Sequence, residues 1–512
     1  MVLEMNNWLL RQRQKHPWGI YALLFVLGLA IAIGIYFIFF RAEEKLDAKV
    51  PSLPQHPQIQ VYMNHNESDS YTDRYRRILR YGDNLERILL DNINQADTSI
   101  DVAVQELRLP SIVKALIERQ KAGVKVRLIL DNTYNRSYSE YTSAEIAKLN
   151  SRAKQKYRDF FAFVDVNRDG KLSPTEISDR DAIVILKNSN LPYIDDTADN
   201  SRGTGLMHHK FMVIDEKVIL AGSANYTMSD IHGDFSNPNS TGNANNLVRI
   251  ENEEVAKLFT QEFDLMWGDG PGGQANSLFG SKKPYRKVKY VLVGDAQVRV
   301  KFSPDSRNLS FEQTSSGLIG TVLASGEQSA DLALFVFSEP VLGNILETRQ
   351  KKNVNVRVLV DSNFAYRNYA TTLDMWGFVS TQDCKFGNGR PWAAPIKTAG
   401  IPSLSAGDLL HHKFATIDRH LVVTGSHNWS INANYNNDEA IVAINNPVVA
   451  AHFQREFDRL YANAILGPTV KLKKSAPTIC PSKLKGIFKP ENQTLVPAKT
   501  QAIESEETLP NE

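Results

Sequence analysis

Two stretches of this chain are copies of each other, and that duplication limits the fold more than any other feature. Residues 99–131 read SIDVAVQELRLPSIVKALIERQKAGVKVRLILD, and residues 329–361 read SADLALFVFSEPVLGNILETRQKKNVNVRVLVD. Asp101, Val124, Arg127 and Asp131 align with Asp331, Val354, Arg357 and Asp361, every pair 230 apart. A second pair of blocks, 206–227 and 409–430, aligns without a gap at an offset of 203. Self-similarity of this kind means one supersecondary unit built twice. The fall in offset from 230 to 203 places 27 extra residues in the first copy, between Asp131 and His208.

Each copy of the first block opens with an apolar run rich in Val, Ala and Leu. A stretch with helical spacing follows, such as Ile112, Leu116 and Ile117, and a second apolar run ends in Asp. This order predicts strand, helix, strand: a βαβ unit, and a parallel-type sheet covered by helices. The shorter runs Ile59–Met63 and Val298–Phe302 read as the opening strands of the two copies.

Residues 18–40 contain no charge, and at about 1.5 Å per residue a helix of that length reaches ~34 Å, enough for a bilayer. Arg11, Arg13 and Lys15 precede it, while Arg41, Glu43, Glu44 and Lys45 follow. The cationic excess on the N-terminal side predicts a single-pass transmembrane anchor with its N-terminus in the cytoplasm and the rest of the chain outside. The reading by segments is a cytoplasmic 1–17, anchor 18–40 and linker 41–57, then a first lobe 58–270 with an insertion at 145–200. A basic linker 271–287, a second lobe 288–465 and a mobile tail 466–512 complete it. With 42% hydrophobic residues and a net charge of +2, the body reads as globular, and the total charge favours no class of partner. Cys384 and Cys480 are the only cysteines, which excludes a disulfide scaffold and an all-cysteine zinc site but leaves these two able to pair outside the cytoplasm.

The second block carries the chemistry. It reads LMHHKFMVIDEKVILAGSANYT in one copy and LLHHKFATIDRHLVVTGSHNWS in the other. His208, Lys210, Asp215, Ser223 and Asn225 match His411, Lys413, Asp418, Ser426 and Asn428. Packing alone explains the paired Phe211/Phe414 and Ile214/Ile417. It gives no reason to keep a polar His and Lys twice. On a strand, side chains alternate, so His208 and Lys210 share one face, as do His411 and Lys413. His209 and His412 point the other way, into supporting or packing roles. Imidazole supplies a nucleophile and an acid near neutral pH, lysine a fixed positive charge, and Asn amides hydrogen bonds to phosphate oxygens. Two half-sites facing each other place one imidazole on each side of a phosphorus.

The His-x-Lys-x4-Asp signature followed by Gly-Ser-x-Asn resembles the phospholipase D superfamily, over roughly residues 58–268 and 288–461. The resemblance implies an α/β fold of two homologous lobes with pseudo-twofold symmetry and a site at their interface. It also implies covalent catalysis through a phosphohistidine without a catalytic cofactor. It places His208, Lys210, Asn225, His411, Lys413 and Asn428 around the phosphate, with Ser223 and Ser426 supporting the pocket. His208 is then the nucleophile and His411 the acid, and Asp215 and Asp418 sit behind the site as orienting or charge-balancing groups. The copies differ at one place. Glu439 stands where family members carry an acid that holds a His, and the first copy has Asn245 there. That asymmetry leaves open which His attacks.

Within the insertion, residues 165–176 read DVNRDGKLSPTE, which resembles a complete EF-hand calcium loop. The ligands would be Asp165, Asn167, Asp169, the Lys171 carbonyl, Ser173 and a bidentate Glu176, with Gly170 at the tight turn. The flanking sequences suit an entering and an exiting helix, and the expected role of the calcium is structural.

These features predict a phospholipase D-type phosphodiesterase acting on a phospholipid at a membrane. The alternatives are a membrane-tethered nuclease of the same superfamily, a phospholipid synthase or transphosphatidylase, and an inactive binding protein. The stretch Lys282, Lys283, Arg286, Lys287 and Lys289 suits a nucleic-acid phosphate surface or, more simply, a solvated linker.

Overall fold

The computed structural model describes residues 25–26, 46–201, 205–378 and 390–470. The first half builds one seven-stranded sheet from β1 (Ile59–Met63), β2 (Ser99–Val104), β3 (Lys125–Leu130), β4 (Tyr193–Asp195), β5 (Lys210–Ile214), β6 (Val218–Gly222) and β7 (Asn246–Glu251). Their order is β1-β7-β6-β5-β2-β3-β4. The second half builds a nine-stranded sheet from β8 (Lys289–Val293), β9 (Ala296–Ser303), β10 (Ser329–Leu334), β11 (Asn355–Val360), β12 (Ala399–Ile401), β13 (Lys413–Ile417), β14 (Leu421–Gly425), β15 (Glu439–Asn445) and β16 (Ile465–Leu466). Here the order is β8-β9-β15-β14-β13-β10-β11-β12-β16. The helices that matter below are α1 (Pro110–Lys121), α2 (Ser151–Val164), α3 (Pro174–Arg180), α4 (Met228–Ile231), α5 (Glu253–Trp267), α6 (Pro340–Gln350) and α7 (Pro447–Ala462).

The βαβ units are present: β2 pairs parallel with β3 through α1, and β10 pairs parallel with β11 through α6. The sheets as wholes are mixed, which corrects the expectation of a parallel type. Strand β5 runs antiparallel to both β2 and β6, and β13 does the same between β10 and β14. The cause is local. Asp215 and Glu216 (φ 53° each), and Asp418 (φ 48°) with Arg419 (φ 59°), form left-handed tight turns after the motif strands. A two-residue turn of this hand returns the chain as an antiparallel hairpin.

Three apolar layers hold the sheets. On β5, Phe211 and Val213 enter the layer between the two sheets, while Met212 and Ile214 enter the outer layer of the first lobe. On β13, Phe414 joins the central layer, and Ala415 and Ile417 join the outer layer of the second lobe. Helices α5 and α7 fill the middle with Phe259, Phe263, Phe453 and Phe457. The lobes are thus welded through one continuous core. Burial of this much aromatic and aliphatic surface is the main term favouring the arrangement.

The segment 271–287 is solvated only in part: 271–276 are exposed, but its later residues dock on the body. Phe279 and Lys283 are buried, and the Gly280 N–H donates to Asp438 at 2.9 Å. Lys283 is paired with Glu262 and lies 2.6 Å from Asp438, and Arg286 lies 3.1 Å from Glu262. Two of its charges thus meet buried carboxylates, while Lys282 and Lys287 stay exposed. The second lobe also extends one residue into the expected tail, since Leu466 pairs with Gly400 in the sheet. Residues 471–512, Cys384, Cys480 and the 18–40 span apart from Phe25 and Val26 lie outside the described residues. Among the described residues, no helix is long and apolar enough to cross a membrane.

Candidate active site

The motif strands begin where the lobes meet. The His208 N–H donates to the Asp438 carbonyl at 3.0 Å, and the His411 N–H donates to the Ala244 carbonyl at 3.1 Å. Each half-site is therefore stitched to the residues just before β15 or β7 of the opposite lobe. The side chains follow the same exchange. His208 Nδ1 lies 2.7 Å from Glu439 Oε2, and His411 Nδ1 lies 2.9 Å from Asn245 Oδ1. In both cases the partner comes from the other lobe, and His208, Glu439, His411 and Asn245 are all buried.

A carboxylate or amide oxygen only accepts, so each Nδ1 donates, in the neutral ring and in the imidazolium alike. Burial opposes the charge on Glu439, but His208 beside it holds its carboxyl below the ordinary range. An imidazole paired this way is fixed in orientation and its protonated form is stabilised. Lys210 Nζ donates to Gln105 Oε1 and to the His208 carbonyl, both at 3.0 Å. Lys413 Nζ donates to the His411 carbonyl at 2.7 Å and lies 5.1 Å above the Phe335 ring. Both ammonium groups are buried, where a fixed positive charge acts most strongly on a phosphate.

Ser223 Oγ donates to Asn245 Oδ1 at 2.7 Å, so it anchors the amide that holds His411. Ser426 Oγ accepts the Ala440 N–H at 3.0 Å and braces the strand carrying Glu439. The Asn225 N–H donates to Asp230 at 3.0 Å. Asn428 is buried at the matching place of the second lobe. A cleft of about 510 Å³ reaches His411 and Asn225, with Phe335 and Asn363 on one side and Arg152, Lys156 and Phe160 of α2 on the other. A cavity of about 730 Å³ lies elsewhere, between the 50–55 segment and α7, and is lined by none of the motif residues. Chemistry, not size, picks out the smaller cleft.

Asp215 and Asp418 do not touch the imidazoles. Each sits in the hairpin turn beyond its motif strand. Asp215 accepts the N–H groups of Asp97 (2.9 Å), Thr98 (2.6 Å) and Ser99 (2.9 Å). Asp418 accepts those of Glu327, Gln328 and Ser329. Burial raises both carboxyls, but these donors outweigh it and hold them below the usual carboxylate range. Of the orienting and charge-balancing roles expected of them, these bonds are of the orienting kind: they tie the entry of β2 to β5 and of β10 to β13.

His209 and His412 face the central helices. His209 Nε2 is 3.5 Å from Glu262 on α5, and His412 Nε2 is 3.0 Å from Glu456 on α7. Burial holds both imidazoles below their usual pKa. The two glutamates were missed in the sequence although a signal exists. Glu-Phe-Asp recurs at 262–264 and 456–458, the same 194 offset that relates Asn245 to Glu439. Gln105 and Asp230 were also missed, having no counterpart of like chemistry in the other copy.

The insertion forms a helix–loop–helix, with α2 ending at Val164 and α3 starting at Pro174. Asp165 accepts the N–H groups of Asp169 (3.2 Å) and Gly170 (3.0 Å). Asn167 Oδ1 accepts that of Asp169 (2.9 Å), and Asp169 Oδ1 that of Lys171 (2.8 Å). Glu176 accepts from Val166 N–H (2.9 Å) and from the Ser173 N–H and Oγ (3.0 and 2.7 Å). Among the described residues, no three His, Cys, Asp or Glu side chains are gathered as a metal-holding group. The available donors are all oxygens, the set a hard cation takes.

Two imidazoles and two ammonium groups, contributed by facing halves, lie buried where the lobes meet. A family profile described as "Cardiolipin synthase, PLD-like domain" matches residues 89–267 and 319–461, more than half of the chain, which therefore belongs to the PLD-like domain family. The mitochondrial cardiolipin hydrolase of Xenopus laevis is 27% identical over 214 residues, 38% of this chain and 91% of that protein. That of Mus musculus is 29% identical over 152 residues, 29% of this chain and 59% of the relative's length. Among solved structures, the phosphatidylserine synthase of Haemophilus influenzae superposes with a TM-score of 0.49 at 12% identity, covering 86% of this chain and 95% of that one. The phospholipase D family member Nuc from Salmonella typhimurium gives a TM-score of 0.27 at 20% identity, covering 34% of this chain and all of that one.

Proposed function

We propose that this enzyme hydrolyses a phospholipid phosphodiester through a phosphohistidine on His208. The observation that carries the reading is the crossed pairing, His208 on Glu439 and His411 on Asn245, which holds each imidazole by Nδ1 from the opposite lobe. His208 Nε2 attacks phosphorus, the phosphorus–oxygen bond to the leaving group breaks, and a proton passes from His411 Nε2 to that oxygen. Water then attacks the phosphohistidine as His411 takes its proton back, and the phosphorus–nitrogen bond breaks. Lys210, Lys413, Asn225 and Asn428 neutralise and hold the non-bridging oxygens. No metal or cofactor is needed by these residues for the step.

A lipid is favoured because the cleft presents Phe160, Phe163, Phe235, Phe335 and Met228 beside its polar groups, and because the relatives above are named cardiolipin hydrolases. The charge pattern around residues 18–40 supports a single-pass anchor that keeps the body beside a bilayer, outside the cytoplasm. The test offers the protein phosphatidylcholine and cardiolipin vesicles and single-stranded DNA. Release of headgroup or phosphatidic acid without DNA cleavage is expected. DNA cleavage without lipid turnover establishes the nuclease instead.

The loop 165–176 would hold calcium through Asp165, Asn167, Asp169, the Lys171 carbonyl, Ser173 and Glu176. The fit rests on its oxygen donors and on Leu172, which packs against the first-lobe core and seats the loop. Titration calorimetry should show binding with a dissociation constant of about 10⁻⁴–10⁻³ M. Glu176→Gln should weaken it at least tenfold and lower the melting temperature measured in calcium. Absence of binding heat in the wild-type protein rejects the site.

A further inference from the structure

The two imidazoles are held by unlike groups, a carboxylate on one and an amide on the other, yet the amide does not stand alone. Asn245 Oδ1 faces His411, and its Nδ2 donates to Asp230 Oδ1 at 3.2 Å and to the Asp230 carbonyl at 3.0 Å. Asp230 Oδ1 is itself 3.7 Å from His411 Nδ1. Its carboxylate is fixed by the Asn225 N–H at 3.0 Å and by Asn243 Nδ2 at 2.6 Å. It is 4% exposed, so its charge is little screened. Asp230 has no counterpart in the other half-site: Ala433, 203 residues on, stands at its place in the repeat. The first lobe thus has an amide at position 245 and an acid a single amide away.

We propose that Asp230 is a positioning residue which, acting through Asn245 and across the short gap to His411, supplies the negative charge that makes His411 the proton donor to the leaving oxygen. This rests on the phosphodiester-cleaving reading of the site. Glu439 presents full charge directly to His208, which suits the ring that must carry the phosphoryl group. Asp230 presents a more distant charge to His411, which stabilises the imidazolium less and leaves it readier to give up its proton. The other groups facing this corner are the Phe335 ring, its centroid 4.9 Å from that of His411, Lys413 on the His411 carbonyl, and Glu106, Arg108, Asp159, Asp234, Arg152 and Lys156 around the cleft. None of them sits between Asp230 and the ring.

The test compares kcat/KM, which reports formation of the phosphoenzyme, for two esters across pH. One is a short-chain phosphatidylcholine, whose alkoxide must be protonated to leave. The other is bis(4-nitrophenyl) phosphate, whose phenolate leaves without a proton. Asp230→Asn should slow the lipid about 10–100-fold, at least tenfold more than the aryl ester. With less negative charge nearby, His411 loses its proton at lower pH, so the alkaline limb for the lipid moves down. Asn245→Asp puts a carboxylate directly on Nδ1 and should move that limb up, a gain that a damaged fold cannot mimic. Equal losses on both esters, or a limb unmoved in Asn245→Asp, overturn the proposal. If the wild-type protein turns over neither ester, the phosphodiesterase reading itself fails and this inference with it.

Discussion

Replacing either His208 or His411 by asparagine should reduce lipid turnover by about 10⁴-fold or more, and the two variants should fail at different steps. Asparagine keeps a polar group near each Nδ1 partner, so the fold should survive. His208→Asn removes the atom that attacks phosphorus, and no covalent adduct should form with any ester. His411→Asn removes the acid and, later, the base. A lipid then reacts poorly at the first step, but an aryl ester still phosphorylates His208, because its leaving group needs no proton. The adduct should persist, since nothing activates water against it. Intact-protein mass spectrometry after mixing with bis(4-nitrophenyl) phosphate reads this directly. An adduct on His208→Asn and none on His411→Asn reverses the assignment of the two rings.

The second large effect concerns stability. Glu262 is buried in the central layer, paired with Lys283, 3.1 Å from Arg286 and 3.5 Å from His209. Glu262→Ala leaves Arg286 without this partner and Lys283 with Asp438 alone, and removing one partner of a buried pair costs up to about 3–5 kcal/mol. Chemical denaturation should show a midpoint shift of that order, with loss of activity following loss of the fold. The acid response follows from linkage. Burial opposes the Glu262 charge, but Lys283 and Arg286 outweigh it and hold its carboxyl well below the usual carboxylate range. A depressed carboxyl contributes stability above its unfolded value and loses it as pH falls through the folded one. The wild-type protein should therefore weaken below about pH 4.5, and Glu262→Gln should weaken less steeply there.

Much of this was legible in the sequence, because it is local or repeated. The strand–helix–strand units follow from spacing, and alternation along β5 and β13 placed His208 and Lys210 on one face and His209 and His412 on the other. What was not legible depends on partners distant along the chain. Lys283 reads as a solvated charge among other lysines, and only the fold brings Glu262 and Asp438 to it. Asp215 sits in the motif, yet its place is decided by a left-handed turn and by N–H groups more than a hundred residues earlier. Asp230 could not be found by comparing the copies, since it is present in one alone.

The crossed backbone bonds at His208 and His411 have a further consequence. Each lobe lends the other the last piece of its own pocket, and a shared core runs between them. The halves cannot part like jaws to admit a large molecule without dismantling both ends of the machinery. The cleft that reaches His411 and Asn225 has for its far wall the extra helix that only one half carries. Changes in what this enzyme accepts are then easiest to make by reshaping that helix, leaving the chemistry beneath it untouched.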